Sequence, residues 1–170
     1  MSARRIPLNT DGRSMSLRAE IVETGNPELK SASIIINASA KEIFDLLANP
    51  AMHQVIDGSH SVRGVLSAPD RLYLGAKFGM KMKIGVKYRI TNTVIEWDEN
   101  RLIAWRHLGR WVWRYELQAL SANQTAVTES FDSRPTPLKA WLRMRKAHGS
   151  AQIAIAKTLV RLKKEIEGLD

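Results

Sequence analysis

The sequence predicts an α+β fold: a curved antiparallel β-sheet wrapped around a long C-terminal α-helix, with two short helices after the first strand. Three observations carry this expectation. From Val62 to Phe131 apolar residues recur at every second position, interrupted by short turns, as in an antiparallel meander. A β-branched run, Ser33-Ile34-Ile35-Ile36-Asn37, and a compact helical stretch precede it. The last segment carries Ala151, Ile155, Leu159, Leu162 and Ile166 on one helical stripe. A sheet of this size has an apolar face to cover, and the C-terminal helix is the one element long enough to cover it.

The chain has 170 residues, 44% hydrophobic and 25% charged, which suits one globular domain and excludes a disordered or collagenous chain. It has no cysteine, which excludes disulfides, thiolate-bound zinc, iron–sulfur clusters and a thiol nucleophile. Residues 1–28 are read as an N-terminal extension, with an edge strand near 17–22 and Met15 as an alternative start. Residues 29–170 are read as the folded domain. Ser39 and Glu42 form a capping-box pattern that starts a helix through Ile43, Phe44, Leu46 and Leu47, and Asn49-Pro50 ends it. A second short helix covers 51–56 and stops at Asp57-Gly58.

Strands are then expected at 62–66, 77–84, 88–97, 102–108, 111–120 and 125–131. Phe78, Met80, Met82 and Ile84 alternate with Lys77, Gly79, Lys81 and Lys83. Tyr88, Ile90 and Val94 share a face, as do Trp111, Trp113, Tyr115 and Leu117. Arg134-Pro135-Thr136-Pro137 ends the meander. Helical spacing resumes over 138–146, with Trp141 and Met144 toward the domain, and a weak interruption at Gly149 precedes the long helix 150–167.

The net charge of +9 is unevenly placed. From Arg134 to Lys164 there are nine Lys/Arg and no acid, while the remaining chain is balanced. Lys139, Arg143 and Lys146 fall on one helical face, a surface for weak contact with an anionic membrane or an acidic protein. The aromatic residues alternate as a buried face does, so no specific nucleic-acid binding is expected. Arg4-Arg5 is not followed by the apolar core of a twin-arginine signal, and no run of about 18 apolar residues occurs. The expected location is cytoplasmic.

Several stretches carry a resemblance. They are the segment from Ile34 to Pro50 (IIINASAKEIFDLLANP), Arg101-Leu102-Ile103-Ala104-Trp105, Trp113-Arg114-Tyr115-Glu116-Leu117, and the segment from Thr125 to Phe131 (TAVTESF). Together they resemble the START-like, or SRPBCC, helix-grip superfamily, in particular its bacterial polyketide cyclase/dehydrase-like branch, over about residues 31–168. The resemblance implies a helix-grip fold with a pocket for an apolar or aromatic molecule. It implies no shared reaction, since the superfamily includes carriers, cyclases, hydrolases and chaperone partners. The Pro-x-Trp that many relatives place after the first Asn/Asp-Pro is replaced by Gln54-Val55-Ile56-Asp57.

The residues read as ligand contacts are Phe78, Met80, Met82, Tyr88, Ile90, Trp105, Trp111, Trp113, Tyr115, Ile155 and Leu159, because aromatic faces stack on flat molecules and Met adapts to irregular ones. The catalytic candidates are four. His107, read as inward on its strand, could orient a carbonyl or act as a base. Glu129 shares a face with Val127 and Phe131, where desolvation would raise its pKa, unless it pairs with an arginine or faces solvent. His53 and Asp57 precede a loop near the pocket mouth. With His60 they have i, i+4, i+7 spacing, but Gly58 breaks the set, so no metal is expected. His148 could cap the pocket. No cofactor is expected. Three functions follow: carriage of a hydrophobic small molecule such as a lipid, polyketide or aromatic metabolite; a cyclase- or dehydratase-type enzyme acting in the same cavity; or an interaction module using the basic C-terminal helix.

Overall fold

The computed structural model describes residues 17–169; Arg4-Arg5 and Met15 lie outside them. The order is β1 (Glu20–Ile21), β2 (Leu29–Ile36), α1 (Ala40–Leu47), a 3-10 turn at Pro50–Met52, α2 (His53–Ile56), then β3 (Val62–Ser67), β4 (Lys77–Ile84) and β5 (Val86–Asp98). It continues with β6 (Leu102–Arg106), β7 (Val112–Ser121), β8 (Gln124–Asp132), α3 (Lys139–Met144) and α4 (Ala147–Glu167). The eight strands form one antiparallel sheet in the order β1-β2-β8-β7-β6-β5-β4-β3. The chain is therefore an α+β protein whose sheet runs from an N-terminal edge to the β3 edge.

Local chemistry sets the first helices. The Ser39 side chain accepts from the Glu42 N–H while Glu42 accepts from the Ser39 N–H, closing the capping box. Asn49 caps the 3-10 turn, and Pro50 stands at its first position, where a missing N–H is harmless. At the other end of the chain the sequence reading needs correction. The helical segments part at Lys146, which takes a left-handed conformation (φ +52°), and not at Gly149, which sits inside α4. Only Leu142 of α3 is buried. Trp141 and Met144, expected against the domain, are exposed, because the break at Lys146 turns α3 onto its Leu142 side.

Helix α4 packs chiefly on β2, β8 and α2, leaving β3, β4 and β5 largely beyond its reach. Its core stripe is Ala151, Ile155, Leu159 and Leu162. Lys163 is buried beside them, donating from Nζ to the Ile35 carbonyl (2.9 Å) and pairing with Glu167 (2.5 Å). Gly58 lies directly against this helix. Its N–H donates to Thr158 Oγ1 (3.0 Å), and a Cβ there would stand 2.4 Å from the Thr158 nitrogen and 2.7 Å from the Ala154 carbonyl oxygen. Gly58→Ala should therefore force α2 off α4 and cost about 1–3 kcal/mol. A urea midpoint equal to that of the wild type would show that the approach is looser than this.

Candidate functional site

The strand register puts one row of side chains on the concave face. In the β4–β5 hairpin the pairs are Ile84 with Val86, Met82 with Tyr88, Met80 with Ile90, and Phe78 with Asn92. Val94 then stands opposite Trp105, Trp105 opposite Trp113, and Ile103 opposite Tyr115. Tyr115 faces Glu129, and Trp113 faces Phe131. Residues directly opposite in an antiparallel pair share a face. An apolar track therefore runs from the hairpin tip to the centre of the domain, where Ile155 and Leu159 are fully buried in the same core cluster.

At the centre of this track lies the one acid of the concave face, among the described residues, that is fully enclosed. Glu129 is 3% exposed. Its Oε1 accepts from the Tyr115 hydroxyl (2.9 Å), while its Oε2, equally buried, bonds to no described group. Burial pushes the Glu129 carboxyl well above the usual range, outweighing the lowering effect of the Tyr115 bond, and Asp57 pushes it the same way. Burial, then the Glu129 charge, raises Tyr115 well above its ordinary value. A carboxylate with no cationic partner here would carry a large desolvation cost, so Glu129 is held as the neutral acid. In that neutral form, with Oε1 accepting from Tyr115, Oε2 is the oxygen left to carry the proton.

Trp105 adjoins this pair, its ring 5.6 Å from Tyr115. His53 stacks on Trp105 (4.8 Å, 18° between planes), and Phe78 meets both edge-on. The His53 Nε2 donates to the Leu47 carbonyl (2.8 Å), and burial lowers its pKa, so the ring is neutral with its proton on Nε2. His53, expected in a short helix before a loop near the mouth, is a buried residue of α2. Asp57 caps the following loop, accepting from the N–H groups of Ser59 (2.9 Å) and Val62 (2.7 Å). Among the described residues no group of three or more His, Asp or Glu is placed to hold a metal.

Several other aromatic residues form a second cluster. Trp113 packs on Phe131 (4.9 Å), and Trp111 stacks with the exposed Trp141 (6.3 Å). His107 stands in the turn after β6 and not on the strand; its Nδ1 accepts from the Gly109 N–H (2.9 Å) and its ring meets Trp111 edge-on. Burial lowers its pKa. His148 bonds to Ser133 (2.8 Å) and packs on Phe131, away from Glu129's partner Tyr115.

Two features were not among the expectations from sequence. Asn92 is buried on the concave face opposite Phe78, where strict alternation with Ile90 and Val94 would have placed it. An open pocket of about 600 Å³ lies at the hairpin, lined by Met82, Tyr88, Arg63, Lys81, Lys83, Lys87 and Arg89, and not between sheet and helix. Of the cations expected to form the basic face, Lys139 and Arg143 both pair with Glu28 (2.9 and 3.4 Å).

A family model described as "Polyketide cyclase / dehydrase and lipid transport" matches residues 30–167. The chain belongs to this family. Among its relatives, the Mycobacterium tuberculosis protein Rv0088 is 42% identical over 113 residues, 66% of this chain and 50% of that protein. The chain thus spans about half the length of the curated relatives it matches. A crystal structure of Ms6760 from Mycobacterium smegmatis superposes with a TM-score of 0.61 at 14% identity, covering 87% of this chain and 99% of that one. The Polyketide_cyc-like protein Cgl2372 from Corynebacterium glutamicum superposes with a TM-score of 0.57 at 19% identity, covering 82% and 91%. These likenesses show that the fold is shared. Among the described residues no helix is long and apolar enough to cross a membrane.

Proposed function

We propose that the chain binds a hydrophobic small molecule carrying a carbonyl or hydroxyl oxygen, with the apolar body lying along the concave track and the oxygen at Glu129. The observation that carries this reading is the buried Glu129 Oε2, a polar atom without a described partner in an aromatic and aliphatic setting. Buried polar atoms are nearly always bonded, so an unpartnered carboxyl oxygen of this kind points to a polar group brought by a ligand. Trp105, Phe78, Met80 and Ile90 supply the stacking and adaptable contacts. The family's description, which couples cyclases and dehydrases with lipid transport, supports the same class of ligand.

The neutral state of Glu129 favours a second reading as well. A carboxylic acid kept protonated by burial is what a general acid needs to protonate a carbonyl or a leaving hydroxyl, as in cyclisation or dehydration. Two variants separate binding from catalysis. Glu129→Gln keeps a donor toward the ligand and an acceptor for Tyr115 but has no proton to give; Glu129→Leu removes both functions. Titration with an aromatic ketone such as anthrone, read by tryptophan fluorescence, should give nearly equal affinity for wild type and Glu129→Gln. Glu129→Leu should bind roughly tenfold more weakly. Equal binding by the Leu variant would remove Glu129 from the site. Native mass spectrometry of the protein purified without denaturation should show a bound oxygen-containing hydrophobic molecule.

A further inference from the structure

We propose that the tip of the β4–β5 hairpin is a docking site for an anionic membrane, in which Ile84 and Val86 enter the headgroup layer while Lys81, Lys83, Lys87 and Arg89 bind lipid phosphates. The tip carries apolar side chains toward solvent: Ile84 is 58% exposed, Val86 74% and Tyr88 37%. The turn between the strands is made by Gly85 alone, at φ +70°, so the two aliphatic residues sit side by side at the extremity. Helix α4 packs mainly elsewhere, on β2, β8 and α2.

The opposite face of the same hairpin is cationic. Lys81 stands directly opposite Arg89, and Lys83 opposite Lys87. Arg63 of β3 joins them around the open pocket. None of these five side chains has an ion pair or hydrogen bond to a described residue, in contrast to Lys139 and Arg143, which share Glu28. Like charges directly opposite on a strand pair destabilise it. Two such pairs on one hairpin mark a surface adapted to an external anion.

The arrangement selects a bilayer among anionic partners. A strand rises about 3.4 Å per residue, so Lys83 and Lys81 stand roughly 3 and 10 Å behind Ile84. That is the span between the acyl boundary and the phosphates when an apolar face is buried about 5–10 Å deep. Tyr88, half-exposed beside the tip, is the residue type that favours this interface. A nucleic acid would call for aromatic stacking platforms between the cations, whereas the exposed tip is aliphatic. The proposal is independent of what the interior binds, although a hairpin whose concave face continues to Trp105 would let a lipid-soluble molecule pass directly from bilayer to core.

The test is co-sedimentation of the full chain with vesicles of one part phosphatidylglycerol to two parts phosphatidylcholine, against vesicles of phosphatidylcholine alone. The wild type should bind the anionic vesicles more tightly, and the difference should shrink at physiological salt, where the Debye length is about 8 Å. Replacing Lys81, Lys83, Lys87 and Arg89 together by Gln should weaken binding about fivefold per cation at low salt. Its melting temperature should equal or exceed that of the wild type, since the like-charge pairs are gone. Ile84→Ser with Val86→Ser should weaken binding roughly tenfold and leave the salt dependence intact. Replacing Lys139, Arg143 and Lys146 by Gln should change little. The proposal fails if the wild type does not prefer anionic vesicles, if either hairpin variant binds like the wild type, or if the 139/143/146 variant loses binding instead. It also fails if heparin or single-stranded RNA is bound as tightly as the vesicles and the Ile84/Val86 variant keeps that binding.

Discussion

Trp105→Ala will lower the stability of the protein by about 3–5 kcal/mol, the range for emptying a large aromatic site in a core. Trp105 is 8% exposed and touches three rings, those of His53, Phe78 and Tyr115. Two of these hold other parts of the fold. His53 bonds to the end of α1 through the Leu47 carbonyl, and Tyr115 bonds to Glu129. The substitution thus opens a cavity and loosens the α1–α2 corner together. Trp113→Ala, at a partly buried position against Phe131, should cost less. Urea unfolding followed by far-UV circular dichroism measures both. A Trp105→Ala loss below about 1 kcal/mol would mean that the neighbouring rings collapse into the space.

Glu129→Gln will remove a decline in stability on the alkaline side. In the unfolded chain Glu129 ionises near its ordinary value of 4.5, while burial holds it protonated in the folded state well above that. Between the two values the folded state holds one more proton, so stability falls as pH rises. Each pH unit over which only the unfolded chain is ionised costs about 1.4 kcal/mol. His53 acts in the opposite sense. Burial depresses its pKa below 6.5, so its contribution is complete above that value and is lost as pH falls through the folded pKa. Wild type should therefore lose stability in both directions, and the Gln variant only toward acid. Urea midpoints measured from about pH 5 to about pH 8 should diverge steadily between the two proteins. Parallel curves would place Glu129 in contact with water or a cation.

The order of elements, the six-strand meander and the stripe on α4 were legible because each rests on local periodicity. A strand that alternates Phe78, Met80 and Met82 with Lys81 and Lys83 has one register that keeps the lysines in water. The capping box at Ser39 and Glu42 was legible for the same reason: it is a contact between residues three apart. The break at Lys146 was not, because a left-handed lysine carries no signal in composition, whereas Gly149, which has one, was free to stay helical.

Net charge summed along the chain pointed to the 134–164 stretch, without regard to which cations the fold would pair. The 134–164 stretch is basic in sequence, but Glu28, more than 100 positions from Lys139 and Arg143, folds back to meet both. In the charge-balanced part of the chain, antiparallel pairing sets Lys81 against Arg89 and Lys83 against Lys87.

The sequence by itself determined that an antiparallel sheet would meet a C-terminal helix, and that aromatic and Met side chains would share one face of that sheet, since burial of alternating residues needs no knowledge of partners. It also placed Glu129 on that face with Val127 and Phe131. Only the tertiary structure decided that Tyr115 would satisfy one carboxyl oxygen and leave the other bare, that His53 would lie under Trp105, and that the open pocket would stand at the hairpin. Those outcomes depend on which strands become neighbours and on how far α4 extends over them, and both are set by long-range packing that no local pattern encodes.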